Sequence, residues 1–432
     1  MGILMLMAGA AAVLLLGARL YAPLLGRVLG ERRDRPTPAV LRNDGRDFVP
    51  TPTPVVFAHH YASIAGAGPI VGPVLAIYYG WGPALLWILI GGVFLGAAHD
   101  YLATHIAIRE GGRNIAVVTR RYLGGAAFAM MLILLVAMLA LVCAAFLDLS
   151  ARALTSMVPA ELLKLPADQT LFRTDAATGK VVIGGIASTS VVVITAFSPL
   201  LGFLYIKRRV SVWLCSLLAM VVCAISIVVG LYYPMAVTPD TWKGLLSAYV
   251  LLAAGVPVWL FLQSRDFINV HILYVGIAVL VVALVAAALR GGGEFGAGTA
   301  LPMENLAEGT KKLGPAWPIL FVTVACGAIS GFHSLCAGGT TCKQLSNELA
   351  ARRVGYYAML LESFLAVCVV CCLIVGLSGG MYQHFCYPVA GDPNAVLTFA
   401  MAVGNTMHVG FGLPVAAGAL GAMLLLEGFL VT

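Results

Sequence analysis

The stretch His59-His60-Tyr61-Ala62-Ser63-Ile64-Ala65-Gly66-Ala67-Gly68-Pro69-Ile70-Val71-Gly72-Pro73 sets three glycines and two prolines inside one apolar run of membrane-spanning length, about 55–79. Proline removes a backbone donor and clashes with the preceding turn, and glycine leaves helical geometry at little cost. The spacing predicts a helix broken near Gly66–Pro69. In lipid, unpaired backbone groups survive only against protein or a water-lined cavity, so the break implies an interior site. A proline kink without a ligand is the simpler alternative, but the Gly-Ala-Gly-Pro density exceeds what a kink needs.

The surrounding chain has the composition of a protein dissolved mostly in lipid. Of its 432 residues 61% are hydrophobic and 10% charged, at a mean hydropathy of +0.96, whereas soluble domains carry roughly 25% charge. Apolar runs bounded by charge or Pro/Gly clusters predict a leader helix at 3–20. Ten further helices are expected at 55–79, 82–98, 125–147, 183–205, 211–233, 245–263, 269–289, 317–336, 355–378 and 411–431, and are called one to ten here. Segment 379–411 is expected to dip into the membrane. The final run, through Glu427, lacks a basic flank, which predicts that the natural chain continues past Thr432.

A net charge of +7 matters less than its placement. With the segment after the leader helix on the cytoplasmic side, 18 of the 26 basic residues fall in alternate loops (19–46, 109–121, 207–209, Arg265 and 343–353), as the positive-inside rule expects. The N-terminus is then external. Nothing suggests a signal peptide, a disulfide framework or a nucleic-acid partner. Cys143, Cys215, Cys223, Cys326, Cys368, Cys371 and Cys372 lie in apolar runs, where a free thiol is a small hydrophobe. No cofactor or metal is expected.

Helix six carries a second interruption, Ala253-Ala254-Gly255-Val256-Pro257-Val258-Trp259, five spans after the first. An odd offset turns the second half upside down, the pattern of an inverted repeat whose discontinuous helices make a midplane site. The expected fold is therefore an all-α integral membrane protein of about 11 transmembrane helices, a LeuT-like five-helix inverted repeat preceded by one extra helix. Its parts are 1–54 (leader helix and basic loop), 55–234 (first repeat) and 235–432 (second repeat). Half-helix N-termini suit a substrate carboxylate and freed carbonyls suit a cation, so the substrate-binding candidates are Gly66, Ala67, Gly68, Pro69, Gly255, Pro257 and Trp259. Small-residue-rich helix eight, Ala325 to Ser334, is read as packing on helix one, with Ser330 and Ser334 as alternative cation ligands; the coupling ion is expected to be the proton, with sodium as the alternative.

Ionisable groups at membrane depth are site candidates by default. Glu362, inside helix nine, is the first choice for a proton carrier; pairing with Arg352 or Arg353 is the structural alternative. His59, His60, His99 and Asp100 close the cytoplasmic ends of adjacent antiparallel helices and are expected to meet. A histidine beside a carboxylate titrates near neutral pH, suiting a protonation-coupled inner gate or, equally, a structural cluster. Asp266 is expected to pair with Arg265. His271, His333 and His408 receive no role.

Phe57 to Pro73, Gly96-Ala-Ala-His-Asp-Tyr101, Ala325-Cys-Gly-Ala-Ile-Ser-Gly-Phe-His-Ser334 and Gly339-Thr-Thr-Cys-Lys343 resemble the carbon starvation protein A family, the likeness running from about Pro36 onward. Family members often have proline where this chain has Cys342. The resemblance implies uptake of small peptides, or of pyruvate in some members, across the bacterial inner membrane. It also implies proton-driven symport during nutrient limitation and a place in the amino acid–polyamine–organocation superfamily. A non-enzymatic transporter is thus expected. A metalloenzyme using His59, His60, His99, Asp100 and His105 is the weaker rival: no His-Glu-x-x-His motif is present, and His99 and His105 do not stand one turn apart. A channel would require a continuous pore instead of a midplane site. Nothing in the sequence fixes an oligomeric state.

Overall fold

The computed structural model describes residues 2–165, 169–175, 177–257, 260–291, 301–388 and 393–430. Among them, eight helices are long and apolar enough to cross a membrane. These are α1 (Gly2–Leu29), an interrupted helix (Thr53–Tyr79) made of α2 (Thr53–Ala65) and α3 (Gly68–Ala76), α4 (Trp81–Arg109), α5 (Ile115–Leu154), α6 (Ile183–Tyr205), α7 (Val212–Tyr232), α9 (Leu262–Leu289) and α14 (Arg352–Gly376). Shorter helices are α8 (Pro239–Ala254), α10 (Leu306–Leu313), α11 (Ala316–Thr323), α12 (Ala325–Ala328), α13 (Phe332–Gly339), α15 (Gly379–Cys386), α16 (Ala395–Phe411) and α17 (Val415–Leu430). The described β structure is a two-residue ladder of β1 (Val158–Pro159) and β2 (Lys180–Val181), with two isolated bridges.

Local chemistry sets several ends. Asn114 accepts from the Val117 amide to cap α5, and Thr238 does the same for Thr241 ahead of Pro239 at the first turn of α8. Helix α1 ends at Leu29, capped by Gly30 in the left-handed region, nine residues beyond the predicted 3–20. Burial ranks the helices: in α14, 83% of the apolar window is inside the molecule, in α5 none of it. Helix nine of the sequence reading is therefore the core, and Cys368, Cys371 and Cys372 are free thiols packed within it.

The first break stands where the glycines put it. Gly66 adopts φ +48°, between α2 and α3. The second does not. Gly255 and Pro257 do not interrupt a span; they end the 16-residue α8, after which α9 runs unbroken for 28 residues. Arg265, assigned to a loop, sits inside α9 and is buried, because the turn between the two helices comes earlier than the charges suggested. The partner of the helix-one break is helix eight, divided into α11, α12 and α13 with Ile329 extended at φ −161°, ψ 124°. Segment 379–411 forms α15 and α16, and α16 packs against α17, α9 and α14.

The two interrupted helices run antiparallel. Val49 and Thr51, just before α2, bond to Lys343 and Gln344 beyond the end of α13. At the other end Tyr79 donates to the Gly314 carbonyl just before α11 (2.8 Å). They cross at their breaks: a Cβ on Gly68 would lie 2.2 Å from Cys326 Cβ, and one on Gly72 2.5 Å from the Thr323 carbonyl oxygen. The Cys326 thiol points at the freed Ile64 and Ala65 carbonyls (3.8 and 3.9 Å).

One end of the bundle is tied by an ionic knot. Buried Glu348 accepts from Arg109 Nε and from the Arg32 amide (2.6 Å), with Arg35 at 3.5 Å. Arg352 binds Glu31 (3.0 Å), so the alternative pairing of Arg352 with Glu362 does not occur. Burial alone would raise the Glu348 carboxyl, but the Arg109 and Arg32 donors outweigh it and hold the group below its ordinary value of 4.5. A depressed folded value means stabilisation present above the unfolded pKa and lost as pH falls through the folded one. Glu348→Gln is expected to cost about 2 kcal/mol near neutral pH. The difference from the parent should shrink to nothing in acid, read by thermal unfolding of detergent-solubilised protein across about pH 7 to pH 3. A deficit unchanged by acid would show that packing, not charge, holds this end.

Candidate functional site

Two polar clusters lie buried where α2, α4, α9, α13 and α14 converge. Successive helical residues point about 100° apart, so neighbours His59 and His60 reach different partners. His59 Nδ1 donates to Asp266 Oδ2 (2.6 Å) and its Nε2 meets Thr340 Oγ1 (3.2 Å). His60 Nδ1 meets Thr341 Oγ1 (2.8 Å). Asp266 keeps a looser contact with Arg265 (3.8 Å), whose Nη1 donates to the Tyr249 hydroxyl (2.6 Å). The pairing expected between Arg265 and Asp266 is present but secondary to the His59 bond.

The second cluster centres on Asp100. Its two oxygens accept from His99 Nδ1 (2.9 Å) and His333 Nδ1 (2.6 Å). The His333 ring then directs Nε2 toward Glu362 Oε2, 3.5 Å away. Cys326 Sγ, His333 Nε2 and a Glu362 oxygen lie within 4.8 Å of one another. Asp100, His333 and Glu362 are fully buried, and neither Glu362 oxygen has a hydrogen-bond partner among the described residues. A carboxylate in that position is costly unless neutralised or paired.

The four-residue meeting of His59, His60, His99 and Asp100 thus divides in two. Asp100 takes His99 and His333, while His59 turns to Asp266. Sequence reasoning passed over His333, Cys326, Thr340 and Thr341 as site members. Asp100 and His333 are 233 residues apart, and no local pattern joins them; the signal that existed was the hydroxyl-rich, glycine-punctuated run around His333, a second irregular stretch.

The other candidates sort plainly. Gly66, Ala67, Gly68 and Pro69 lie at the crossing. Gly255 is exposed and Pro257 half-buried at the end of α8, both bonded only to local backbone among the described residues. Trp259 lies outside the described residues. Ser330 is half-buried beside Cys326, and Ser334 donates to the Gly331 carbonyl (2.8 Å). A cavity of about 650 Å³ opens between the helix-eight break and α4 and α5, lined by His99, Gly331, Ser334, Phe94, Met131 and Met138 among others. That volume falls within the roughly 300–1,000 Å³ of small-molecule sites.

Comparison with known proteins fits these features. The family model described as "Carbon starvation protein CstA" matches residues 2–422. The chain is 34% identical over 402 residues to the peptide transporter CstA of Campylobacter jejuni, covering 87% of this chain and 50% of that protein. It is 32% identical over 378 residues to the pyruvate/proton symporter BtsT of Escherichia coli, covering 83% and 46%, and 30% identical to the peptide transporter CstA of Bacillus subtilis, covering 96% and 63%. The chain spans about half the length of the first two. No solved structure matches it. A near-complete match of the family model, on a multi-pass bundle whose interrupted helices carry the matching motifs, establishes that this chain belongs to the carbon starvation protein CstA family.

Proposed function

We propose that the chain imports small peptides across the bacterial inner membrane by alternating access, driven by protons, under carbon starvation, with its N-terminus external. The observation that carries this reading is the buried Glu362 carboxylate, without a hydrogen-bond partner among the described residues and 3.5 Å from His333 Nε2, beside the crossing of two antiparallel interrupted helices. Such helices meeting near mid-membrane make a site that rocking of one bundle against the other can expose to either side. The 650 Å³ cavity against the helix-eight break accommodates a short peptide. Its carboxylate is placed toward the first turn of α13, the positive end of that helix dipole. Glu362 takes the proton, and His333 relays its state through Asp100 to His99, which is one-third exposed. Inverted symmetry is part of the reading, with the interrupted pair now one and eight instead of one and six.

Pyruvate is the alternative cargo, favoured by the name of the Escherichia coli relative, and sodium the alternative ion. The test is the purified chain in liposomes under an imposed pH gradient, comparing labelled di- and tripeptides with pyruvate. Peptide accumulation that collapses with a protonophore is expected. Accumulation of pyruvate alone would move the assignment to the alternative, and a sodium requirement would replace the proton. If neither substrate accumulates and the gradient stands, coupled transport of both is wrong.

A further inference from the structure

The Cys326, His333 and Glu362 trio resembles nothing a proton carrier alone requires. Its atoms come from three separate elements, α12, α13 and α14, and converge within 4.8 Å. We propose that Cys326 Sγ, His333 Nε2 and the Glu362 carboxylate form a binding site for a zinc-class divalent cation at the crossing of the interrupted helices.

Three features point there. The donor set is a thiolate, an imidazole and a carboxylate, which suits zinc and excludes the hard cations magnesium and calcium as preferred occupants. His333 Nδ1 is held by buried Asp100 at 2.6 Å, which fixes the tautomer and leaves the Nε2 lone pair for a metal. His99 supports Asp100 in turn (2.9 Å). The same carboxylate–histidine arrangement orients ligands in zinc proteins generally. Finally, His333 Nε2 and both Glu362 oxygens have no hydrogen-bond partner among the described residues, so the groups aimed into the trio are those left unsatisfied.

Geometry asks for modest movement. Zinc bonds of about 2.0–2.3 Å place tetrahedral donors roughly 3.3–3.8 Å apart. His333 Nε2 and Glu362 Oε2 already meet that at 3.5 Å, and the widest separation must close by about 1 Å. Three protein donors leave a fourth position for water, the pattern of an open site. In the sequence these residues are 7 to 36 positions apart and no metal is expected; folding brings them together. The inference does not depend on the transport reading, since binding is measured without transport.

The test uses the untagged, detergent-purified 432-residue chain, incubated with zinc, passed over a desalting column and analysed for metal, then repeated with cobalt as a spectroscopic probe. One equivalent of zinc and a thiolate-to-cobalt charge-transfer band are expected. Cys326→Ser, nearly isosteric, should abolish the band while leaving the protein monodisperse. Asp100→Asn should weaken binding about 10- to 100-fold. Maleimide labelling of Cys326 after partial unfolding should be slowed by zinc. Substoichiometric zinc in the parent, or a cobalt band that persists in Cys326→Ser and so arises from Cys336 or the Cys368 group, overturns the proposal.

Discussion

Glu362→Gln is expected to lower gradient-driven uptake by about 5- to 150-fold, the span of an ordinary coupling free energy of 1–3 kcal/mol, while equilibrium exchange falls far less. The substitution preserves shape and removes only the ability to gain and lose a proton. It also relieves the cost of a buried carboxylate with no hydrogen-bond partner among the described residues, so the variant should fold at least as well as the parent. Gly331, Ser334 and His99, which line the cavity, are not altered. The measurement is counterflow against pH-driven accumulation in the same vesicles, with a chelator present so that divalent cations do not occupy the carboxylate. Equal loss of both activities would remove the proton role and leave Glu362 as a packing or ligand residue.

How much of this could be read from the chain depended on the range of the signal. The break at Gly66 was legible because it needs only local chemistry: a left-handed position that glycine accepts and prolines that end a helix nearby. The same local logic misplaced the second break. Gly255-Val256-Pro257 has the same composition as an interruption, yet it terminates α8; the sequence reading put Arg265 in a loop, whereas Arg265 and Asp266 lie buried in α9, held by Tyr249 on α8 and by His59, 207 residues away. Charges inside a span look like charges at its end unless the partner is known. Conversely, Ile329-Ser330-Gly331 carries no proline and passed as a close-packing stripe, although it is where helix eight opens. Glu362 was legible as a charge in an apolar run. Its neighbours His333 and Cys326 were not, since a lone histidine or thiol in a helix has the same sequence whether it faces lipid, core or site.

The crossing itself predicts the largest structural effect. Gly68→Ala should prevent the interrupted helices from seating, because the added methyl would stand 2.2 Å from Cys326 Cβ and 2.3 Å from its Sγ. The obstacle includes Cβ, which no rotamer change can move, and the backbone behind it is pinned at both ends, by Thr51 to Gln344 and by Tyr79 to Gly314. Overpacking of this kind costs about 1–3 kcal/mol even where a core can adjust; here the expected outcome is loss of transport with a marked fall in thermal stability. Gly255→Ala, by contrast, places its methyl no closer than 3.5 Å to any atom of the described residues and should leave stability within about 0.5 kcal/mol, which separates the observed second break from the one the sequence suggested. The clash is specific to one partner, so removing that partner should compensate. Cys326→Gly alone leaves a small void, and Gly68→Ala with Cys326→Gly puts one methyl where two collided. Recovery of stability in the double variant, by an interaction energy of about 0.5–3 kcal/mol, is expected. If the two losses simply add, Gly68 and Cys326 are not in contact, and the site built around that contact must be redrawn.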